Sequence, residues 1–171
     1  MEFLNRKSPR LKNYNYSSEG TYFITICTKN SKPVLSSIRD IGTVGRDDLG
    51  APNSDTYIQL SKIGEIVDKY INFIPQKYKN VSVDSYIIMP DHIHMLLSIN
   101  NKKWRAESSR PTSISQVIGI MKRLTNKEVG NNIFQASFND HIIRNEEDFV
   151  NHLYYIENNP VKWFYNKSCE E

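Results

Sequence analysis

The chain has 171 residues, of which 39% are hydrophobic and 24% charged, and its formal net charge is +3. This length fits one domain, residues 1–171, with a sizeable core. No stretch approaches the roughly 20 apolar residues of a membrane span, and no secretion signal opens the sequence. We therefore expect no membrane partner. Because the two cysteines, Cys27 and Cys169, are too few for a disulfide framework, we also expect a reduced, cytoplasmic protein.

The positive charge is concentrated in two stretches. Residues 1–32 carry six Lys or Arg against two Glu, and residues 102–127 carry seven against one. With aromatic residues among these charges, both stretches suit a polyanion, although a solvated basic surface is the commoner explanation for either one. We expect nucleic acid to contact six basic side chains: Arg6, Lys7, Arg10, Lys12, Lys122 and Arg123.

The first half of the chain predicts an arm, a strand, a loop and a helix. Residues 1–20 form a basic arm without periodicity, and residues 21–28 are β-branched and aromatic throughout, which predicts a central strand. Residues 40–57 hold three glycines and a proline, which indicates a surface loop. Apolar residues then recur with helical spacing from Ile63 to Ile74, which predicts a helix that Pro75 ends.

The next elements are two strands and a second helix. Residues 81–89 and 92–99 read as strands, and the Pro90-Asp91 turn between them predicts an antiparallel hairpin. A basic surface loop follows over residues 100–112. Ser113 and Gln116 then form a capping box that opens a helix, and its inward residues are predicted to be Ile114, Val117, Ile118, Met121 and Leu124.

The chain closes on a strand and a helix. We expect the strand to span about residues 134–143. Asn145 should cap a last helix that Pro160 stops or kinks, with residues 165–171 as a tail. The resulting order, β-α-β-β-α-β and a closing helix, predicts an α+β ferredoxin-like (split βαβ) fold. Its antiparallel sheet would carry helices on one face and leave the other face open.

Two of the four histidines, His92 and His94, stand one residue apart at the start of a predicted strand. Because strand side chains alternate, both imidazoles project from one face while Ile93 and Met95 take the other. Their Cα atoms are roughly 6.5 Å apart, so both rings can reach one divalent ion. Two histidines do not complete a metal site, and a pair on a solvated strand face explains the spacing equally well.

A polar stripe runs along the last predicted helix beside its apolar one and contains Tyr155 and Asn159, one turn apart. If this helix packs near the histidine strand, Asn159 offers an amide oxygen to an ion and Tyr155 places a phenol beside it. The alternatives are a tyrosine that packs its ring at a boundary, and an Asn-Pro pair that ends the helix.

Over nearly its whole length the sequence resembles REP-associated tyrosine transposases of the single-tyrosine HUH endonuclease superfamily. The specific part is the stretch Tyr86-Ile-Ile-Met-Pro-Asp-His-Ile-His94 followed, about sixty residues later, by Tyr155-Ile-Glu-Asn-Asn-Pro160. The shorter matches lie at residues 6–11, 20–28, 121–123 and 140–146. The chain departs from the family in having Asp91 at a position where Asn is frequent, and in residues 134–137, which replace an aromatic-Gln-Arg run.

The resemblance implies that His92, His94 and Asn159 bind Mg²⁺ or Mn²⁺ and that Tyr155 is the nucleophile. The implied enzyme is a transposase or nicking endonuclease that cleaves and rejoins single-stranded DNA through a 5′-phosphotyrosine. The implied partner is DNA with hairpin or palindromic elements, and a homodimer is left open. His141 and His152 are candidates for activating the tyrosine, although both also suit structural roles.

Two other functions remain open at this point. One is a metal-dependent phosphodiesterase that uses a metal-bound water, with Tyr155 merely packing. The other is a non-catalytic nucleic-acid-binding module on an open ferredoxin-like sheet, as in RRM domains, although those sheets present aromatic residues rather than histidines.

Overall fold

The computed structural model describes residues 15–40, 56–100 and 112–168, without the side chains of residues 40, 56 and 164–168. Arg6, Lys7, Arg10, Lys12 and most of both predicted surface loops lie outside these ranges. The elements, besides a short 3-10 turn at Lys29–Ser31, are β1 (Gly20–Cys27), β2 (Ser36–Asp40), β3 (Thr56–Leu60), α1 (Lys62–Lys77), β4 (Val81–Ile88), β5 (His92–Ile99), α2 (Ile114–Val129), β6 (Asn139–Ile143) and α3 (Glu146–Ser168).

The main sheet has four strands in the order β4-β5-β1-β6, and every pair is antiparallel. Thr25 of β1 is paired with His94 of β5, and Phe23 of β1 with His141 of β6. In the predicted β-α-β-β-α-β order the four strands are β1, β4, β5 and β6. Because β1 lies between β5 and β6, this is the ferredoxin-like arrangement. The predicted fold class is confirmed.

The hydrophobic core lies between one face of this sheet and the helices α1 and α2. Its central side chains are fully buried and come from alternate positions of β1 and β5: Tyr22, Ile24, Ile26, Ile93, Met95 and Leu97. In α2 the prediction was wrong at one position. Leu124 is only half-buried, whereas Thr125 is fully buried and its hydroxyl donates to the Met121 carbonyl, which satisfies the polar atom within the core.

The second face of the sheet is not open, contrary to the prediction. Helix α3 lies against it and contacts β4, β5 and β6. The β1 and β5 residues that alternate with the core include Phe23 and Leu96, and Leu96 is fully buried. Covering such apolar side chains with a helix stabilises the fold, because it removes apolar surface from water. On the helix side, Ile156 of α3 is buried.

Neither proline ends its helix. Pro75 lies in the last turn of α1, which continues to Lys77, and Pro160 lies within α3, which continues to Ser168. The predicted stop at Pro75 is therefore wrong, because a proline removes one hydrogen bond without forcing the chain to leave the helix. No helix in the described part of the chain has the length and apolar character needed to cross a membrane.

Two short strands on either side of the predicted 40–57 loop were not foreseen. β2 and β3 pair antiparallel as a separate two-stranded sheet, and the residues between them lie outside the described ranges. The sequence Ser-Ser-Ile-Arg-Asp of β2 has no apolar alternation that would indicate a strand. At the other end of the chain β6 starts only at Asn139, and Phe134 makes an isolated bridge to Thr28.

Candidate functional site

The turn between β4 and β5 positions the start of the histidine strand. Both the backbone N–H and the hydroxyl of Thr28 donate to the carbonyl of Asp91, at 2.8 and 2.9 Å. The Leu35 N–H donates to the Pro90 carbonyl at 2.9 Å, and the Ser36 hydroxyl to the Ile88 carbonyl at 2.8 Å. The segment that follows β1 therefore holds the turn, and with it His92, from outside the hairpin.

His92 and His94 project from the face that α3 covers. Their ring centroids are 4.5 Å apart, and the two rings lie nearly edge-on at 68°. His94 is 5% exposed, while His92 is half-buried at the end of its strand. The shared face agrees with the strand alternation, but His94 lies beneath a helix rather than on an open surface.

Each imidazole has a partner at Nδ1. The Nδ1 atom of His92 is 2.7 Å from Asp91 Oδ1, and that of His94 is 2.9 Å from Thr25 Oγ1. Within the described ranges neither Nε2 atom has a hydrogen-bond partner. This is the arrangement of metal-binding histidines, whose second nitrogen is held by a carboxylate or hydroxyl while the first faces the ion. Asp91, the departure from the family pattern, supplies that carboxylate.

Burial lowers the pKa of His94 to about 3, with further contributions from the neighbouring His92 and His152. Desolvation disfavours the imidazolium, and two nearby imidazoles disfavour it further. His94 is therefore neutral at physiological pH. Only the neutral ring has a lone pair for a metal ion, so the environment of His94 keeps it ready to bind one.

Tyr155 of α3 lies over this pair. Its ring centroid is 5.2 Å from that of His94, and 5.9 Å from that of Phe23. Its side chain remains 39% exposed, so the phenol is open to solvent while the ring touches the histidine face. The adjacent Tyr154 is 64% exposed. Of the two neighbouring tyrosines, α3 thus directs Tyr155 toward the histidines.

Asn159 follows Tyr155 by one helical turn and is 6% exposed. Its side chain makes no hydrogen bond to another residue that the structure describes. Because its amide is not engaged by another side chain or carbonyl in these ranges, it is available for a ligand. Helix α3 passes from β6, where His152 stacks on His141, to β5, where Tyr155 meets His94, and Asn159 lies one turn further in this direction.

Phe23 is the residue that sequence reasoning missed. Its ring stacks on His94 with centroids 5.1 Å apart, and it also contacts the rings of His152 at 4.6 Å and Tyr155 at 5.9 Å. It therefore separates two groups of histidines beneath α3. The alternation of β1, with Tyr22 and Ile24 toward the core, placed Phe23 on the histidine face and was the available signal.

His141 and His152, the two candidates for activating Tyr155, both interact with Asp148. His141 Nε2 is 3.0 Å from Asp148 Oδ2, and His152 Nδ1 is 3.1 Å from Asp148 Oδ1. The hydrogen bond from His141 holds the pKa of the Asp148 carboxyl below its usual value. The structure thus gives both histidines a shared partner on the far side of Phe23 from His94.

The two basic residues of α2 have different surroundings. The Lys122 ammonium donates to the backbone carbonyls of Gln135, Ala136 and Ser137, and burial lowers its pKa. Arg123 is exposed. Lys122 therefore holds the segment before β6 in place, and of these two side chains Arg123 is the one free to meet a polyanion.

Comparisons with known proteins identify relatives over most of the chain, although no protein-family model matches it. The chain is 32% identical to an uncharacterised protein of Haemophilus influenzae, over 92% of this chain and 89% of that protein. It is 31% identical to an H. influenzae protein provisionally named a REP-associated tyrosine transposase, over 64% and 70%. It is 30% identical to the REP-associated tyrosine transposase of Escherichia coli K12, over 47% and 44%.

One solved structure supports the fold. A REP-associated tyrosine transposase bound to a REP hairpin superposes with a TM-score of 0.61. The aligned part covers 90% of this chain and 73% of that one, at 19% sequence identity. At this identity the likeness establishes the shared fold.

Proposed function

The chain belongs to the REP-associated tyrosine transposase family, and we propose that it cuts and rejoins single-stranded DNA through a covalent bond to Tyr155. The observation that carries this proposal is the position of the exposed phenol, with its ring 5.2 Å from buried His94 and His92 a further 4.5 Å away. A nucleophile and a pair of imidazoles then lie on one side of the sheet, beneath one helix.

His92, His94 and Asn159 would hold the Mg²⁺ or Mn²⁺ ion. The two free Nε2 atoms and the Asn159 amide are a fitting donor set, because an imidazole that binds an ion through its lone pair and an amide oxygen both add no charge. A bound ion would retain most of its own charge there and stabilise the negative charge on the non-bridging phosphate oxygens. Asp91 and Thr25 would keep the imidazoles oriented toward it.

The nucleophile of the proposed reaction is Tyr155 Oη. It forms a bond to phosphorus as the bond from phosphorus to O3′ breaks. The tyrosine proton passes to solvent or a base, and the leaving O3′ takes up a proton from solvent. The products are a 5′-phosphotyrosine and a strand that ends in a 3′-hydroxyl. One phosphoester bond replaces another, so a 3′-hydroxyl can reverse the step and join strands, which makes the reaction a transesterification.

The surroundings of Tyr155 favour an anionic strand. The Lys162 ammonium, on the same helix as Tyr155, lies 5.7 Å from the Tyr155 ring centroid. Arg123 adds exposed positive charge on α2. The relative of known structure is described as bound to a REP hairpin, and we extend DNA carrying a hairpin or palindrome to this chain as its substrate.

The test is formation of a covalent protein–DNA adduct. Protein is incubated with end-labelled single-stranded hairpin DNA and Mn²⁺, and the products are separated on a denaturing gel. We expect Tyr155→Phe to abolish both cleavage and adduct, and the matched control Tyr154→Phe to retain them. Cleavage without adduct that survives in Tyr155→Phe would instead support a phosphodiesterase with a metal-bound water.

A further inference from the structure

A second cluster of metal-binding side chains lies at the other end of the covered sheet face, where β6 meets the first turns of α3. It consists of His141, Asp148 and His152, and one ligand atom from each lies within 4.8 Å of the others. His141 comes from the strand and the other two from the helix. Phe23 packs its ring against His152 at 4.6 Å, so this cluster is separate from the pair His92 and His94.

The carboxylate at the centre of the cluster is held in position from outside it. The Asp148 N–H donates to Asn145 Oδ1 at 2.8 Å, and Asp148 Oδ2 accepts from the Arg144 N–H at 3.1 Å. The two imidazoles stack with their centroids 4.7 Å apart and their planes 19° from parallel. Both rings therefore present a nitrogen to one fixed carboxylate.

The spacing suits a tetrahedral ion. With bonds of about 2.0 to 2.2 Å to nitrogen and oxygen, two ligand atoms of a tetrahedral site stand about 3.4 Å apart. The nitrogens of His141 and His152 are 3.0 and 3.1 Å from Asp148 oxygens. These two distances therefore need shifts of a few tenths of an ångström to accept an ion, and the ring nitrogens of His141 and His152 stand within 4.8 Å of each other.

One competing hydrogen bond has to be given up. His152 Nδ1 also lies 2.8 Å from the backbone carbonyl of Asp148, to which it can donate. On binding an ion it would offer its lone pair instead. The carbonyl does not lose its partner, because in an α-helix it also accepts the backbone N–H four residues later.

We propose that His141, Asp148 and His152 form a second metal site, for a divalent first-row transition ion such as Zn²⁺. Imidazole nitrogens favour such ions over Mg²⁺, and one carboxylate with two imidazoles leaves a fourth position for water. The bound ion joins the edge strand β6 to α3 three residues before Tyr155. The site does not rest on the proposed function, since neither the tyrosine nor DNA takes part in it.

The test measures metal binding with Co²⁺, whose visible absorption reports tetrahedral coordination, and with Zn²⁺ by calorimetry. The full chain is first stripped with EDTA, and the double variant His92→Ala/His94→Ala removes the other ligand pair. We expect this double variant to bind one equivalent of either ion and to melt at a higher temperature with Zn²⁺. Adding Asp148→Asn or His141→Gln should weaken binding at least about tenfold, since loss of even an outer partner weakens metal sites by about 10- to 100-fold.

The matched control is Glu147→Gln, which removes the same charge from the exposed neighbour of Asp148 and should leave binding unchanged. Circular dichroism checks that each variant is folded. If the double variant does not fold, the comparison is made on the wild-type background, where Asp148→Asn should lower the Zn²⁺ stoichiometry by one. Failure of the folded double variant to bind either ion, or binding that neither Asp148→Asn nor His141→Gln weakens, overturns the proposal.

Discussion

The buried, neutral His94 predicts that the metal-free protein loses stability in mild acid. The pKa of His94 is lowered to about 3 in the folded chain, chiefly by burial, whereas in the unfolded chain it has its ordinary value of 6.5. As the pH falls below 6.5 the unfolded chain takes up a proton that the folded chain refuses. The free energy of unfolding therefore decreases as the pH is lowered from about 6.5 to about 3. Above pH 6.5 the contribution of His94 to stability is fully present.

The size of the effect between pH 7 and pH 5 depends mainly on the unfolded state. At pH 5 the unfolded histidine is about 1.5 units below its pKa, and each unit corresponds to about 1.4 kcal/mol. The folded protein should thus be less stable at pH 5 than at pH 7 by about 2 kcal/mol through this residue alone. With a urea m-value of about 2 kcal/mol/M, the unfolding midpoint would fall by about 1 M.

The assay is urea unfolding followed by circular dichroism at pH 7, 6 and 5, in EDTA, for the wild type and for His94→Gln. The variant lacks the titrating group, so its midpoint should change with pH by about 1 M less than that of the wild type. Gly119→Ala, which changes a position with open space around it and adds no titrating group, serves as the control and should keep the wild-type dependence. Equal pH dependence in the wild type and His94→Gln would refute the reasoning that burial keeps His94 neutral.

Three further predictions concern the ligand set, the substrate and the fold. Asn159→Ala should weaken Mn²⁺ binding at least about tenfold in a calorimetric titration, whereas Asn158→Ala should not; equal affinities would remove Asn159 from the ligand set. The logarithm of the affinity for single-stranded DNA should fall with the logarithm of the salt concentration, with a slope of about −0.7 per phosphate contact, and Arg123→Gln should make that slope shallower by one contact. The wild type should cleave single-stranded DNA faster than the same sequence as a perfect duplex; equal rates would contradict this. Gly64→Ala should destabilise the fold by about 3 kcal/mol in urea unfolding, because the added Cβ would stand 2.1 Å from the Leu35 carbonyl oxygen. The control Gly119→Ala has open space around it and should be neutral or slightly stabilising.

The histidine face could be predicted from sequence because it depends on a local rule. Alternation along β5 places His92 and His94 together whatever packs above them, and the strand pairing bears this out. The cover over that face could not be predicted in the same way. Where α3 lies depends on long-range packing against Phe23 and Leu96, and the helical periodicity of α3 contains no information about which sheet face it meets.

The cluster of His141, Asp148 and His152 was hidden for a related reason. His152 and Asp148 share a helix face at a spacing of four residues, which sequence shows. His141 belongs to a strand whose start sequence reasoning placed near residue 134 rather than at Asn139. Only the observed pairing of Phe23 with His141 brings the His141 ring beneath α3. The position of His141 in the cluster therefore depends on the register of β6 against β1.

The covered face also bears on how a DNA strand would approach the proposed site. His94 is sealed beneath α3, whereas the phenol of Tyr155 and the ring of His92 remain partly accessible. In the reaction that we propose, a phosphate would reach Tyr155 from the side of the β4–β5 turn, past the half-buried His92. Thr28, Leu35 and Ser36 fix that turn through backbone carbonyls. Gly64, which lets α1 pass against the Leu35 carbonyl, thus supports this turn from outside the proposed metal site.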